Sequence, residues 1–491
     1  MIPIISQKNI ARAPAAPVGW TRLRWRVLLM LFLLSVVTYM DRVCISTTAP
    51  AMMKELGISP FQMGMVFSIF VFGYALFEIP GGWMGDHWGA RAVLTRIVLW
   101  WSFFTAATAY AWNFTSLLVI RLLFGVGEAG AFPNCSSAIA RWFPATERGR
   151  AHGTVLTGTR LGAAVAPGLV VALMAWLGWR QVFTVFAGFG AAWAVVWYWW
   201  YRNTPEEHRS ISLEELHEIR GTQPLRAPGH LEASESASGG LRPFYGPGIL
   251  RAEEPSDGGD LRHHGSPAVE PLLAARSAPV DWMALLRSRN LWAICVMYSG
   301  YSFGLYFYLT WLPTYLLRAR GITLNAVGLW AGLPLLMGAV SNVGGGFLSD
   351  ALTRRAGLRW GRCLPAGLGL FLSALLLLVS LALANPVQAL IAMVASFACA
   401  DIILGPAWAT CLDIGGEQGG TVTGCMNSFG QIGGVISPLA FGWAVQKWGS
   451  WTYPLLLTAG CYFLAAGMWL VIDPEKTLAV SVNGVTTSGG R

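Results

Sequence analysis

RLLFGVGEAGAFP, residues 121–133, is an apolar, helix-like run interrupted by two formal charges, Arg121 and Glu128, set seven residues apart. Seven residues are almost two helical turns, so the two side chains leave nearly the same face with about 10 Å of rise between them. If that helix crosses a bilayer, each charge requires an aqueous cavity, a partner or a ligand, and both residues become candidate functional groups. The structural alternatives are a mutually satisfied pair, or an arginine whose stem is buried while its head reaches a surface.

Composition extends the membrane reading to the whole chain. Of 491 residues, 54% are apolar and 12% charged, with 24 Trp and 57 Gly. Soluble domains carry about 25% charged residues. With so few charges most of the outer surface must face lipid. The eight cysteines are scattered through apolar segments without a CxxC or Cys/His ligand cluster, which reads as small packing residues rather than disulfides or metal ligands. The polar, Ala/Pro-rich opening is no signal-peptide core, and the first long apolar run lacks a cleavage pattern and is expected to be retained.

That first run spans residues 25–49 and follows Arg22 and Arg24. Further candidate spans lie at 60–82, 92–112, 116–138, 151–174 and 180–201, then at 290–317, 324–348, 361–382, 387–411, 419–443 and 451–472. Each has the roughly 20 residues that a hydrocarbon core requires. The predicted fold is an all-α polytopic membrane protein of twelve transmembrane helices in two pseudo-symmetric six-helix bundles. Its segments are an N-terminal stretch 1–24, a first bundle 25–201, a central loop 202–289, a second bundle 290–472 and a tail 473–491.

Arginines 91, 96, 141, 148, 150, 354, 355, 359 and 362 all fall on the side of the N-terminal arginines when these spans are counted. The other side has chiefly Lys54, Arg180, Arg318, Arg320 and Lys447. By the positive-inside bias both termini and the central loop are cytoplasmic. The net charge of +9 is then a topology signal, and no basic surface interleaved with aromatics points to nucleic acid. Within the central loop TPEEHRSISLEELHEIR, residues 204–220, reads as a short amphipathic helix whose Glu214 and Glu215 sit on a solvated face, followed by a flexible Gly/Pro/Ser-rich linker.

The halves repeat a motif. GGWMGDHWGAR, residues 81–91, ends the second span, and GGGFLSDALTRR, residues 344–355, ends the eighth. Asp86 and Asp350, with Arg91 beside the first, are the candidates for a conformational clasp between helix ends; an ordinary tight turn is the alternative. Residues 81–91 resemble the loop after helix two of the major facilitator superfamily, with His87 where an arginine is usual and Arg91 kept. RLLFGVGEAGAFPNCSSAIARWFPATERGR (121–150), YMDRVCIS (39–46), YFYLTWLPTYLL (306–317) and GCMNSFGQIGGVISP (424–438) resemble its anion:cation symporter family, which includes bacterial sugar-acid permeases and sialin-like carriers. The resemblance covers residues 20–475 and implies a bacterial inner-membrane location. It also implies anion contact at Tyr39 and Arg42, proton coupling at Asp41 and Glu128, and Arg121 close to the latter.

The residues themselves support a binding role. Asp41 and Arg42 point about 100° apart, so they need not serve one another. Arg42 is thereby a candidate partner for a carboxylate, with the Tyr39 hydroxyl beside it. Arg160, near the middle of its span, either faces the cavity or salt-bridges to Glu78 or Glu128. Asn427 and Ser428 either bind substrate hydroxyls or bond across helices. Tyr308 and Trp311 are candidate cavity walls, while Glu78 and Asp401 rank lower because either can line water at a helix end.

GVGEAG at 125–130 literally satisfies G-x-G-x-x-G, but that motif needs a strand before it and a βαβ setting. Inside an apolar helix its glycines permit close packing or local unwinding. G-x-x-x-x-G-K-[ST], G-x-S-x-G and a spaced metal-ligand set are all missing from the sequence, so no ATP drive, enzyme, cofactor or metal is expected. What remains is a monomeric proton-coupled symporter of a small organic anion, of hexuronate, glucarate or galactonate type, with membrane lipid its other partner. Exchange of one organic anion for another is the nearest alternative, and a non-transporting receptor a more distant one.

Overall fold

Helix follows helix through the computed structural model, which describes residues 22–144, 147–220, 282–415 and 419–476. In chain order the helices are α1 (Leu23–Leu56), α2 (Pro60–Trp88), α3 (Ala90–Thr108), α4 (Phe114–Glu128), α5 (Ala131–Trp142) and α6 (Arg148–Trp200). After them come α7 (Leu213–Arg220), α8 (Trp282–Arg287), α9 (Arg289–Thr310), α10 (Leu312–Arg318), α11 (Leu324–Trp330) and α12 (Leu333–Ala356). The chain closes with α13 (Leu358–Ala382), α14 (Pro386–Asp401), α15 (Leu404–Gly415), α16 (Gly419–Trp448) and α17 (Thr452–Val471). Among the described residues, eight helical stretches are long and apolar enough to cross a membrane. Ile79, Trp176, Phe347 and Leu470 stand fully out on the surface, as side chains facing lipid do.

The caps follow from the sequence. Ser59 accepts from the Gln62 N–H while Gln62 accepts from the Ser59 N–H, and Pro60 opens α2. The repeated motif also has a repeated turn, because Gly89 (φ 81°) and Gly357 (φ 87°) separate α2 from α3 and α12 from α13 in a conformation that favours glycine. At 53 residues α6 would be about 80 Å long if straight, and Gly178 (φ 75°, ψ 167°) divides it where the sequence separates 151–174 from 180–201.

Four expected continuous spans are instead divided. The run 116–138 becomes α4 and α5, 290–317 becomes α9 and α10, 324–348 becomes α11 and α12, and 387–411 becomes α14 and α15. Gly130 (φ 85°) makes the first break, and prolines 313 and 334 open the segments after the second and third.

One expectation on the central loop is corrected. Glu215 of α7 is buried, not solvated, and its carboxylate accepts the N–H groups of Leu23 (3.1 Å) and Arg24 (2.9 Å), satisfying the free start of α1. Glu218 pairs with Arg22 and with Arg24 (2.8 Å), and Arg24 also approaches Glu147 at 3.4 Å. The linker expected after α7, residues 221–281, lies outside the described residues.

α16 lies between α9 and α2, and so joins the two halves of the chain. The halves touch backbone to backbone at one end. A Cβ on Gly64 would stand 2.5 Å from the Pro438 carbonyl oxygen, one on Gly442 2.5 Å from that of Pro60, and one on Gly332 2.0 Å from that of Ala164. The Phe61 N–H donates to Gln446 Oε1 at 3.1 Å at the same end. All eight cysteines are free thiols, buried or half-buried.

Candidate functional site

The charged face of α4 faces inward, and its anion is paired from another helix. Arg42 of α1 donates from Nε to Glu128 Oε1 at 2.5 Å, and its guanidinium lies over the rings of Tyr74 (4.5 Å), Tyr39 (5.0 Å) and Phe70 (5.2 Å). Aromatic faces attract a cation while leaving its N–H groups free. Arg42 Nη2 and Glu128 Oε2 are both buried without a hydrogen-bond partner, so the pair retains unused capacity on each side.

Arg121, from the same face, makes no ion pair among the described residues. It rests over Phe124 (4.4 Å) and Phe70 (4.9 Å), and its buried Nε has no partner. Asp41 is buried with neither carboxylate oxygen in close hydrogen-bond geometry; the Trp101 indole is the donor that faces it, and Glu128 and Arg121 lie within electrostatic reach.

The glycine run holds this cluster together in both ways open to it. A Cβ on Gly125 would stand 2.3 Å from the Phe70 carbonyl oxygen, so α4 meets α2 at backbone distance. Gly130 then unwinds the chain directly after Glu128, and the break is fastened by Asn134, whose Nδ2 donates to the carbonyls of Gly130 (2.7 Å) and Gly81 (2.9 Å).

A second charged cluster spans the halves. Arg160 of α6 reaches neither Glu78 nor Glu128; its Nη2 lies 3.1 Å from Asp401 Oδ2 at the end of α14 and donates to Tyr301 Oη of α9 at 3.1 Å. Tyr301 in turn donates to Asp401 Oδ1. Tyr39 lies within electrostatic reach of both Arg42 and Arg160, which places it between the two clusters.

The remaining candidates divide. Tyr308 and Trp311 are wholly buried and donate to the carbonyls of Met393 and Pro438, both at 3.1 Å, so their polar atoms are bonded to the backbone. Asn427 is half-buried and Ser428 exposed on α16, and neither makes a hydrogen bond among the described residues. Asp350 pairs with Arg362 at 2.8 Å, and Arg362 also binds Asp413 at 3.1 Å, so this clasp closes within the second half. Arg91 donates from Nε to the Tyr198 carbonyl at 2.8 Å, within the first half. Asp86 lies on α2, and its side chain is outside the described residues. Asn134, Tyr74 and Tyr301 were not singled out by the sequence; the signal for Tyr301 and Asp401 was a polar residue deep in an apolar run, the signal that selects Glu128.

The sequence matches the Major Facilitator Superfamily over residues 31–438. It is 32% identical over 456 residues to the probable sulfoacetate transporter SauU of Cupriavidus necator, covering 93% of this chain and 95% of that protein. It is 28% identical to the hexuronate transporter of Bacillus subtilis, covering 90% and 92% of the two chains. Among solved structures it resembles the bacterial homologue of the human lysosomal transporter Spinster, inward-facing and unoccupied, with a TM-score of 0.64 at 19% identity over 92% of this chain and 95% of that one. That last likeness bears on the fold alone.

Proposed function

Since the chain belongs to the Major Facilitator Superfamily, and is a multi-pass transporter of organic-anion or sugar-acid type and not an enzyme, we propose that it moves a small organic acid together with H⁺ by alternating access. Twelve crossings in two six-helix bundles, 25–201 and 290–472, would rock about the buried charges. With both termini and residues 202–289 cytoplasmic, the end where Gly64, Gly332 and Gly442 meet backbone is the outer one. The conformation described here then opens to the cytoplasm.

The observation that carries this reading is the Arg42–Glu128 pair with its unused Nη2 and Oε2. A substrate carboxylate that replaces Glu128 at Arg42 leaves Glu128 buried without its hydrogen-bonded cation, and Glu128 then takes up a proton delivered through solvent from the acidic side. Substrate and proton thus enter together by exchange at one guanidinium. Asp41, buried near Glu128, is the second proton acceptor, and the Tyr39 hydroxyl contacts the bound acid. Hexuronates, glucarate and galactonate fit this chemistry, and so does a small sulfonate-carboxylate such as the compound for which the Cupriavidus relative is named.

Proteoliposomes with imposed pH and voltage gradients test the proposal on D-glucuronate, D-galactonate, D-glucarate and sulfoacetate. Uptake of at least one, accelerated by outside acid and accompanied by proton entry, is the expected result. Uptake indifferent to the pH gradient rejects symport. Uptake that depends on a preloaded anion establishes exchange instead.

A further inference from the structure

Asp401 and Tyr301 repeat, in the other half of the chain, the placement of Glu128 and its partner, while the cation, Arg160, reaches them from the first half. Glu128 is the last residue of α4 and Asp401 the last of α14, each directly before a break in its helix. Each stands five residues before a proline, Glu128 before Pro133 and Asp401 before Pro406. Glu128 is met by Arg42 from the first long helix of its half, and Asp401 by Tyr301 from α9, the first long helix after the central loop. The site is also shaped for the carboxylate, because a Cβ on Gly338 of α12 would stand 2.5 Å from Asp401 Oδ2.

The second pair is as exchangeable as the first. Asp401 Oδ2 is buried and meets Arg160 by ion pairing at 3.1 Å without hydrogen-bond geometry, and both hydrogen bonds that Arg160 makes among the described residues leave from Nη2. A guanidinium carries five N–H donors in a planar fork suited to two acid oxygens, so this contact uses little of its capacity. A buried ion pair between halves that move must also open or pivot during the cycle, and an arriving anion can release it without stranding Arg160.

We propose that Arg160, Asp401 and Tyr301 form a second anion subsite, and that the transported acid is a dianion bridging Arg42 and Arg160. This rests on the transport reading above. One acid group replaces Glu128 at Arg42 and the other replaces Asp401 at Arg160, each displaced carboxylate taking up one solvent proton, so these two protons balance the two charges of the dianion and any proton on Asp41 is additional. The charged and titratable groups facing Asp401 are Arg160 from α6, Tyr301 and Tyr298 from α9, and Tyr462 from α17. Monoacids engage Arg42 alone and leave the bridge between halves intact.

Purified full-length protein in nanodiscs is titrated with two matched pairs that differ at one end only, D-glucarate with D-gluconate and succinate with succinamate. The wild type should bind the diacid of at least one pair about tenfold or more tightly than its monoacid. Arg160→Gln should abolish that preference, weakening the diacid about tenfold or more beyond any effect on the monoacid, and Arg160→Gln combined with Asp401→Asn, which strands no buried carboxylate, should show the same loss of preference. Asp401→Asn, which preserves shape, should take up one proton fewer per diacid bound, read by calorimetry in buffers of different ionisation enthalpy. Equal affinity for diacid and monoacid in the wild type overturns the subsite, as does a preference that survives Arg160→Gln or an unchanged proton count in Asp401→Asn. Absence of binding by all four probes, together with no uptake in the proteoliposome panel, overturns the organic-anion reading and the subsite with it.

Discussion

Two consequences of removing Arg42 separate in measurement. On the proposed reading the substrate loses its charge-assisted contact, worth about 1.5–3 kcal/mol, and Glu128 is left buried without its hydrogen-bonded cation, with Arg121 the cation still in electrostatic reach. Arg42→Ala should therefore weaken binding of the confirmed substrate by about ten- to a hundredfold and also lower the thermal midpoint of the ligand-free protein. Adding Glu128→Gln removes the stranded charge, so the double variant should regain thermal stability without regaining affinity. Unchanged affinity in Arg42→Ala would make the arginine structural. Tyr39, Asp41, Arg42, Arg121 and Glu128 stood out in the sequence as candidates because a charge or hydroxyl in an apolar run has few innocent explanations. Their pairing was not legible. Which cation meets Glu128 depends on how closely α1 and α4 approach, and Arg160 meets Asp401 across 241 residues of chain. The backbone partners of Tyr308 and Trp311 were not legible either, because a buried aromatic reads identically whether its polar atom faces a cavity or a backbone carbonyl.

Helices in this chain are joined by contacts that admit no side chain. Gly332→Ala places a methyl 2.0 Å from the Ala164 carbonyl oxygen, and Gly442→Ala one 2.5 Å from that of Pro60, so either must force the halves apart at that end. Cysteines introduced at Phe61 and Gln446 should cross-link readily in the otherwise native protein and at least several-fold more slowly in either glycine variant. An unaltered rate would mean that these contacts do not hold the closed end. On the other side of the molecule α7 caps α1. Glu215→Ala leaves the Leu23 and Arg24 N–H groups unsatisfied and should cost about 1 kcal/mol, the usual worth of a helix cap. Glu218 is partly desolvated, which opposes its ionisation, but hydrogen bonds from Arg22 and Arg24 prevail and hold its carboxyl below the ordinary glutamate range. A depressed value contributes stability above the unfolded-state pKa and loses it as pH falls through the folded one. The gap in thermal midpoint between wild type and Glu218→Gln should accordingly be largest at neutral pH and close in acid; a gap independent of pH would assign the residue a packing role. Apolar run length located the helical segments, and the glycines of 125–130 left close packing and local unwinding both open, whereas nothing marked the break after Asp401, because it falls inside one apolar run.

At the scale of the whole molecule, transport requires that binding on one side and release on the other be tied to a change in charge, and Glu128 occupies the point where that tie can be made. Glu128→Gln keeps the shape and a hydrogen-bond acceptor for Arg42 but can neither lose nor regain a side-chain proton. It also removes the anion that competes with substrate for Arg42. The variant should thus bind the confirmed substrate at least as tightly as wild type, and its affinity should depend less on pH. Counterflow at equal pH needs only that the loaded carrier reorient, so it should persist. Uptake driven by a pH gradient should fall by about tenfold or more, since the step that converts the gradient into substrate movement is gone. Labelled-substrate uptake, counterflow and proton flux in proteoliposomes holding equal amounts of folded protein separate these outcomes. Undiminished gradient-driven uptake with undiminished proton movement in Glu128→Gln would transfer the coupling role to Asp41, and Arg42–Glu128 would then be a structural pair that the substrate never opens.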